Sequence, residues 1–417
     1  MSADQVQPAG RRSAWRGVVG FGLVSLAADM VYEGGRSIYG PLLATLGASA
    51  AITGLVTGAG EAMALVLRVV SGPLADRTGR YWALTLLGYG LTAICVPLLA
   101  ITPLIGAAGL LLAILLILAE RAGKAVRSPA KSALLAEAAT RVGSGRGFGV
   151  HKALDQIGAF AGPLLVAALL AATGTLTPAL AALVIPGAIA MGLLLWLRSR
   201  TPQPVRDNQP HGSWWQDTIG SNLGRRFWLF ALAAASATAG LVTFGMIGFH
   251  LSSTGLLPLA AIPLAYAGGQ LVAALAALVT GLGYDRVGGR VLYALPLLVL
   301  LVPVFAFTRS VWAVLLGIAC WGAANGVQDS TIKAVVADLT PRGRRATAYG
   351  VFAAVQGAAA VLGGGLAGLL YERSIPALIA VVAGLQVITV VLLLITGRSS
   401  STRPPTVTDT SPKRPGG

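Results

Sequence analysis

The chain contains 417 residues, of which 55% are hydrophobic and only 11% are charged, whereas a typical soluble domain has about 25% charged residues. This composition excludes a water-soluble globular protein, because too few polar side chains are available to cover its surface. The formal net charge of +16 would fit a nucleic-acid-binding protein, but the positions of the basic residues follow a membrane topology instead.

Apolar stretches of about 20 residues follow one another along the chain, each long enough to cross about 30 Å of hydrocarbon as an α-helix. A β-barrel would instead show alternating segments of about 10 residues. The sequence therefore predicts an all-α membrane protein with twelve transmembrane helices, the first of them bent around Gly40 and Pro41. The predicted spans lie near 16–45, 50–71, 82–101, 105–127, 147–173, 176–198, 227–252, 257–280, 291–307, 311–333, 346–370 and 375–396.

The basic residues lie almost entirely on one side of this topology. They precede the first span and occupy the even-numbered loops, whereas the odd-numbered loops hold only Arg309 and Arg373. This positive-inside pattern predicts a multi-pass protein of the cytoplasmic (inner) membrane with both termini in the cytoplasm. The predicted domains are an N-terminal six-helix bundle (1–198), a cytoplasmic linker (199–226), a C-terminal six-helix bundle (227–397) and a disordered cytoplasmic tail (398–417).

The second half of the chain repeats the first, since Gly149 aligns with Gly350 and Gly162 with Gly363 in one register. The twelve spans are therefore predicted to form two pseudo-symmetric six-helix bundles with a substrate site between them. Four aligned positions pair an ionisable residue of the first half with a neutral one of the second: Lys124 with Asn325, Arg127 with Gln328, His151 with Phe352, and Asp155 with Gln356. This asymmetry predicts that the first half carries ion coupling or binds a charged substrate.

The segment between spans 2 and 3 reads GPLADRTGR at residues 72–80, and a weaker copy, GLGYDRVGGR, occupies residues 281–290. We expect both segments to be short interhelical loops between two bundles that move against each other. The first copy resembles the loop after the second helix of the major facilitator superfamily, and the resemblance implies transport by alternating access without an ATP site. It also implies a conformational gate, in which Asp76 and Arg80 stabilise the outward-open state. The gate residues are Gly72, Asp76, Arg77, Gly79, Arg80, Asp285 and Arg286.

Ionisable side chains within a membrane span cost on the order of 3 kcal/mol each, so they are expected to face a cavity, to pair or to act. Asp29 and Glu33 lie four residues apart near the middle of the first span, on one helix face and about 6 Å apart. Two carboxylates this close in a low dielectric do not both ionise readily, so one is predicted to take up and release a proton. The alternative is a structural ion pair between Glu33 and Arg36.

Spans 2 and 4 carry further charges. Glu61 lies midway through span 2, and Glu120, Lys124 and Arg127 recur on one stripe of span 4. The alternatives for these residues are ion pairs between helices, and for Trp321 in span 10 it is packing in the core. We predict a substrate cavity formed by Glu61, Arg36, Arg121, Glu120, Lys124, Arg127 and Trp321.

Span 5 begins with His151 and Asp155, an i, i+4 pair that we assign to proton coupling together with Asp29 and Glu33. It continues with Gly158, Gly162 and Pro163, where small residues let helices approach closely and proline bends the axis. This GxxxGP pattern resembles the span-five signature of drug–proton antiporters of the same superfamily, and the resemblance implies export.

The sequence therefore predicts a monomeric secondary transporter, not an enzyme, whose partners are a small organic substrate, protons and the lipid bilayer. Proton-coupled efflux is the main hypothesis. The first alternative is a transporter of an anionic metabolite or metal chelate gripped by Arg36, Arg121, Lys124 and Arg127. The second is a membrane sensor or scaffold, against which the intact Asp76 segment argues. No metal-ligand spacing or nucleotide-binding loop is present in the sequence, so no cofactor and no nucleic acid are expected.

Overall fold

The computed structural model describes residues 8–140, 142–201, 223–340 and 345–398. Most of the predicted linker (199–226) and nearly all of the predicted tail (398–417) lie outside the described residues, as does the side chain of Asp285. The predicted boundaries of the two bundles therefore stay predictions. Span 6 ends at Arg198 and span 7 begins at Arg225.

The described residues form twelve helical spans without a β-strand. In the first half, span 1 is Pro8–Arg36 with Tyr39–Thr45, span 2 is Ala50–Thr78, span 3 is Tyr81–Leu98 with a 3₁₀ turn at Leu99–Leu104, span 4 is Ala108–Ala139, span 5 is Ser144–Thr173, and span 6 is Leu176–Ala181 with Val184–Arg198. In the second half, span 7 is Arg225–Gly240 with Phe244–Ser253, span 8 is Ala261–Val287, span 9 is Gly288–Tyr293 with Ala294–Ala306, span 10 is Val311–Val327 with Gln328–Ile332 and Lys333–Asp338, span 11 is Arg345–Arg373, and span 12 is Ile375–Arg398.

Eleven of these twelve spans are long and apolar enough to cross a membrane. The remaining one is span 4, which carries four charged residues between positions 120 and 127. The all-α membrane architecture predicted from the sequence is confirmed.

The segment 72–80 is not the loop that the sequence predicted. Span 2 continues as a helix through Pro73 to Thr78, and Gly79 ends it in the left-handed conformation (φ 64°) with its N–H bonded to the carbonyl oxygen of Ala75. Glycine adopts this conformation without the steric cost that a Cβ brings, so the helix stops there. The second copy likewise stays helical as far as Val287, and only the residues after it leave the α-helix.

The break in span 1 also differs from the prediction. The first helix ends at Arg36 and a new one begins at Tyr39, so Gly40 and Pro41 lie in the first turn of the second helix. Proline is tolerated in a first turn because the N–H that it lacks would have no helical partner there. The bend therefore falls before Gly40.

The two halves pack alike. Span 1 lies against spans 5 and 6 in the first half, as span 7 lies against spans 11 and 12 in the second. The halves meet where span 2 packs on span 11, where span 5 packs on span 8, and where the end of span 1 packs on the end of span 7. Each half has its own buried apolar residues, with Phe230 and Val299 in the second and Leu42 and Phe21 in the first.

Contacts between the halves are closest at one end of the molecule. We call the end where span 1 begins the N-terminal face, and the end where spans 1 and 2 are joined the opposite face. Towards the opposite face, Gly40 lies so near Gly245 that a Cβ would overlap its carbonyl oxygen, and Gly54 lies equally near Gly364. The N–H of Ala51 donates to Glu372 Oε1 at 3.1 Å. These contacts close the opposite face.

The glycines of span 5 supply a test of the packing inside the first half. A Cβ on Gly162 would overlap the carbonyl oxygen of Met30 in span 1, whereas a Cβ on Gly149 in the same helix meets no heavy atom within 4 Å. We expect Gly162→Ala to destabilise the protein by about 1–3 kcal/mol, the usual cost of overpacking. Gly149→Ala is the matched control and is expected to be neutral or stabilising, because alanine favours helix. Thermal unfolding of the two purified variants measures the difference, and equal melting temperatures would contradict the packing described.

Candidate functional site

A cavity of about 2100 Å³ lies between the two halves. It reaches the N-terminal face, where Asp76, Arg77 and Tyr349 line it, and extends inwards to Glu33 and Thr243. Its inner end is closed where the Oγ1 atoms of Thr57 and Thr243 lie 2.8 Å apart and join span 2 to span 7. The cavity is therefore open to one side of the protein and closed to the other.

The two walls of the cavity differ in chemistry. Among the described residues, seven basic and six acidic side chains line it, and of these only Asp329 belongs to the second half. The second-half wall instead presents amides and aromatic rings, including Gln270, Gln356 and Trp321. The sequence repeat aligned four ionisable residues of the first half with neutral residues of the second. In three of these pairs both residues line the cavity: Lys124 and Asn325, Arg127 and Gln328, and Asp155 and Gln356.

Glu61 is the centre of an ion-pair network in the first-half wall. Its Oε1 accepts a hydrogen bond from Arg36 Nη2 and lies 3.5 Å from Nη2 of Arg121. Arg121 also donates to the hydroxyl of Tyr32, and its guanidinium stands over the Tyr32 ring, 5.0 Å from the centroid. One carboxylate thus holds two arginines from different helices, which is one of the two arrangements predicted for Glu61.

Glu33 links the two halves. Its Oε2 accepts a hydrogen bond from the hydroxyl of Tyr266 in span 8 and lies 3.8 Å from Arg36 Nη1. The ion pair with Arg36 that the sequence offered as an alternative is present, although it is the longer of the two contacts. Tyr266 belongs to a cluster of aromatic rings, with its centroid 4.6 Å from that of Phe244 and 5.9 Å from that of Trp321.

Asp29 has a different carboxyl neighbour from the one predicted. Its carboxyl group lies close to that of Asp155 in span 5, and its Oδ1 lies 3.8 Å from Arg127 Nη2. Asp155 in turn accepts a hydrogen bond of 2.6 Å from Lys152. The close carboxyl pair therefore joins spans 1 and 5, because the i, i+4 neighbour Glu33 is drawn to Arg36 and Tyr266.

Three of the predicted site residues lie behind the cavity wall. Glu120 and Arg121 are buried and do not line the cavity, and Glu120 accepts from Thr92 at 3.4 Å. His151 is also buried, with Nε2 3.4 Å from Ser25 Oγ. Asp155 pairs with Lys152, three residues before it, and not with His151 as predicted. The Lys152 side chain is exposed beside Asp155, whereas that of His151 is buried.

The role of the predicted gate residues stays a prediction. Gly72, Asp76 and Arg77 line the cavity, and Asp76 Oδ1 accepts a hydrogen bond of 3.0 Å from the Tyr81 hydroxyl. Gly79 caps span 2, Arg80 and Arg286 are exposed, and the Asp285 side chain lies outside the described part. In span 5, a Cβ on Gly158 would overlap the carbonyl oxygen of Leu26, and the helix continues through Pro163.

Sequence reasoning missed three residues of the wall, Tyr32, Arg68 and Lys131, and also Tyr266, which bonds to Glu33. Lys131 continues the stripe of Lys124 and Arg127 by one further turn of span 4, so helical spacing alone could have found it. Arg68 lies two turns beyond Glu61 on the same helix. Tyr32 and Tyr266 carry no such signal, because a tyrosine in an apolar span is not distinguished by type from a packing residue.

Two six-helix halves around a charged cavity that opens to one face are the architecture of a secondary transporter. The family model of the Major Facilitator Superfamily matches residues 23–294 and 257–416, so the chain belongs to this superfamily.

Relatives and solved structures agree with this assignment. An uncharacterised protein of Mycobacterium tuberculosis is 50% identical over 390 residues, which are 91% of this chain and 93% of the relative. An uncharacterised MFS-type transporter of Methanocaldococcus jannaschii is 25% identical over 364 residues, covering 85% of this chain and 88% of that protein.

Among solved structures, a mutant of the nucleoside transporter NupG superposes with a TM-score of 0.74 at 18% identity, covering 92% of this chain and 99% of that one. A bacterial homologue of the human lysosomal transporter Spinster, in an inward-facing and unoccupied conformation, gives a TM-score of 0.62 at 16% identity, covering 94% and 96%. At these identities the likeness shows the fold alone.

Proposed function

We propose that the protein exports a small organic solute in exchange for protons across the cytoplasmic membrane, acting as a monomer with both termini in the cytoplasm. The N-terminal face is then cytoplasmic and the cavity is inward-open. Transport requires the cavity to close at this face and the contacts between spans 1 and 7 and between spans 2 and 11 to separate at the other.

The observation that carries proton coupling is the carboxyl pair of Asp29 and Asp155 on the cavity wall. Two carboxyl groups close together favour a state in which they share one proton, since two adjacent negative charges repel each other in a low dielectric. Arg127 and Lys152 lie beside the pair and stabilise the state that has lost the proton. The pair can therefore take up and release a proton as the cavity changes sides.

Glu33 and Glu61 are less suited to this role in the observed state. Glu61 is held by two arginines, which favour its charged form, and Glu33 is bonded to Tyr266 across the halves. We therefore place coupling at Asp29 and Asp155 and assign Glu33 and Glu61 to organising the wall. His151 is not on the wall and serves the pair only indirectly, through Ser25 and Lys131.

The direction of transport rests on the GxxxGP resemblance of span 5. Gly158 and Gly162 do pack on the backbone of span 1, as that pattern predicts. However, the aligned Gly363 of the second half approaches Ala239 of span 7 equally closely, so this packing is a property of both halves. Because both halves share this packing, export and uptake are to be separated by experiment.

The anionic-substrate alternative is favoured by the basic side chains of the first-half wall. Of the four residues predicted to grip the anion or metal chelate, Arg36, Arg121 and Arg127 already contact carboxylates of the protein. Lys124 has no carboxylate within 4 Å in the described part of the chain; its Nζ lies 3.3 Å from the centroid of the Tyr32 ring. An anionic substrate would therefore have to be bound by Lys124 together with basic residues other than these three arginines.

Everted membrane vesicles with an acidic interior and an interior pH dye test the proposal. Antiport predicts that an organic solute added outside, which is the cytoplasmic side, releases protons from vesicles that contain the protein and not from vesicles without it. Solute loaded inside tests uptake by symport, because protons would leave together with the solute. Lipophilic cations, neutral amides and organic anions are compared in both arrangements. Proton release only with loaded solute would contradict export, and no release in either arrangement would contradict proton coupling.

A further inference from the structure

We infer that Arg68, Lys124 and Lys131 form the anion-binding part of the cavity, and that the substrate is a small organic anion with neutral hydrogen-bonding groups. The inference deepens the proposed function and rests on it only for the premise that the cavity carries the solute. It replaces the three arginines predicted from the sequence by basic residues that have no carboxylate within 4 Å in the described part of the chain.

Six of the seven basic side chains counted on the wall, all except Arg77, fall into two kinds. Arg36, Arg127 and Lys152 each lie within 4 Å of a carboxylate, as does Arg121 behind the wall. No carboxylate of the described residues lies within that distance of Arg68, Lys124 or Lys131. Lys131 Nζ donates to Ser25 Oγ at 3.2 Å, and Arg68 Nε is buried without a hydrogen-bond partner in the protein. Arg68 is half-buried, with Asp329 and Glu61 among the charges that act on it from a distance, and an anion in the cavity would give its guanidinium a direct partner.

The unpartnered atoms of the wall point to the same class of ligand. Among the described residues, two buried polar atoms of the cavity wall lack a hydrogen-bond partner in the protein, Arg68 Nε and Gln328 Nε2. Both are N–H donors, one on each wall. A ligand can bond to these atoms only if the two side chains turn towards the cavity. It would then present acceptors to both halves, as a carboxylate or phosphate with a carbonyl or hydroxyl at its other end does.

The amides of the second-half wall indicate which polar groups the rest of the ligand carries. The amides Gln270, Asn325 and Gln356 line the second half, and Asn325 Nδ2 and Gln356 Nε2 already donate to Trp321 O at 2.8 Å and Thr238 Oγ1 at 3.2 Å. Their carbonyl oxygens accept from ligand N–H or O–H groups. Asp329 faces the cavity from this same wall. All seven basic side chains that line the cavity in the described part of the chain belong to the first half, so the anion is expected to bind with its charge on that side.

Fluorescence titration of the purified protein in detergent tests the inference with three dansyl probes of one framework. Dansylglycine carries a carboxylate, dansylamide is neutral and dansylcadaverine is cationic. We expect dansylglycine to bind at least about tenfold more tightly than the other two, and benzoate and phenyl phosphate to compete with it to different extents that distinguish a carboxylate site from a phosphate site. Arg68→Gln and Lys124→Gln are each expected to weaken its binding by about tenfold, while Arg68→Lys retains part of the affinity.

Arg146→Gln is the matched control, since Arg146 is exposed at the start of span 5 and does not line the cavity. Equal or tighter binding of the neutral or cationic probe would overturn the inference, as would binding of no probe or unchanged binding by folded Arg68→Gln and Lys124→Gln proteins. Binding in detergent needs no proton gradient, so its result is separate from the vesicle experiment. Anion binding without coupled proton movement would leave the site standing and refute proton-coupled transport. Proton release triggered by cations alone would refute the anion site and leave proton-coupled transport standing.

Discussion

Replacement of Asp29 by asparagine is expected to abolish proton-driven transport while leaving exchange of the solute across the membrane. The substitution keeps the shape of the side chain and its place beside Arg127 and Asp155, but it removes a carboxyl group from the pair that shares the proton. Without that group the cavity can still change sides with solute bound. We expect gradient-driven flux to fall by about a hundredfold, the scale on which a positioned proton acceptor acts.

Reconstituted vesicles separate the two activities. Accumulation driven by a pH gradient reports coupling, and exchange of labelled for unlabelled solute at equal pH reports the movement of the halves alone. Asp155→Asn should give the same result, because the two residues form one proton site. Glu137→Gln is the control, since Glu137 is exposed near the end of span 4 and does not line the cavity. Gradient-driven accumulation at the wild-type rate by Asp29→Asn would remove the pair from the coupling mechanism.

Glu61→Gln is expected to destabilise the protein and to stop transport altogether, exchange included. Its Oε1 is the shared partner of Arg36 and Arg121, and the Arg121 side chain is only 4% exposed. Without this carboxylate, Arg36 and Arg121 keep only their longer carboxylate contacts of 3.8 Å with Glu33 and Glu120 among the described residues, and removing one partner of a buried network typically costs up to about 3–5 kcal/mol. Thermal unfolding of the purified variant should therefore begin several degrees lower, by about 5 °C or more.

A double-mutant cycle separates this effect from a general loss of fold. The double variant Arg36→Gln/Glu61→Gln removes both members of the principal pair, so it should be more stable than the sum of the two single changes predicts. Additive changes in melting temperature would show that the two residues are not coupled. Normal transport by a folded Glu61→Gln variant would contradict the part that Glu61 plays in organising the wall.

Much of the fold could be predicted from the sequence because hydrophobic length is a direct consequence of the bilayer. The twelve spans, the repeat and the charged first-half wall all follow from patterns within single helices. The residues at which helices end were predicted less accurately. The segment at 72–80 remains helical to Thr78 because its internal Pro73 is accommodated and Gly79, not Gly72, supplies the left-handed cap.

The charged residues of the site could be found from the sequence, but their partners could not. Spacing within one helix suggested that Asp29 and Glu33 would interact, and that His151 and Asp155 would do so as well. In the structure, Asp29 lies close to Asp155 from another span, and Glu33 bonds to Tyr266 from the other half of the chain. Such contacts depend on helix rotation and crossing, which periodicity does not define.

The central claim is that the two halves separate at the opposite face during transport, and a reversible crosslink tests it most directly. Thr57 and Thr243 are to be replaced by cysteine in a protein whose native Cys95 and Cys320, both buried, are alanine. The present hydroxyl oxygens lie 2.8 Å apart, so the paired thiols can oxidise to a disulfide between spans 2 and 7. A protease site inserted in the linker reports its formation, because only crosslinked halves stay together after cleavage.

We expect oxidation to stop solute exchange and reduction to restore it, while each single-cysteine variant is unaffected by the oxidant. Solute exchange at an undiminished rate by fully crosslinked protein would contradict alternating access through this cavity.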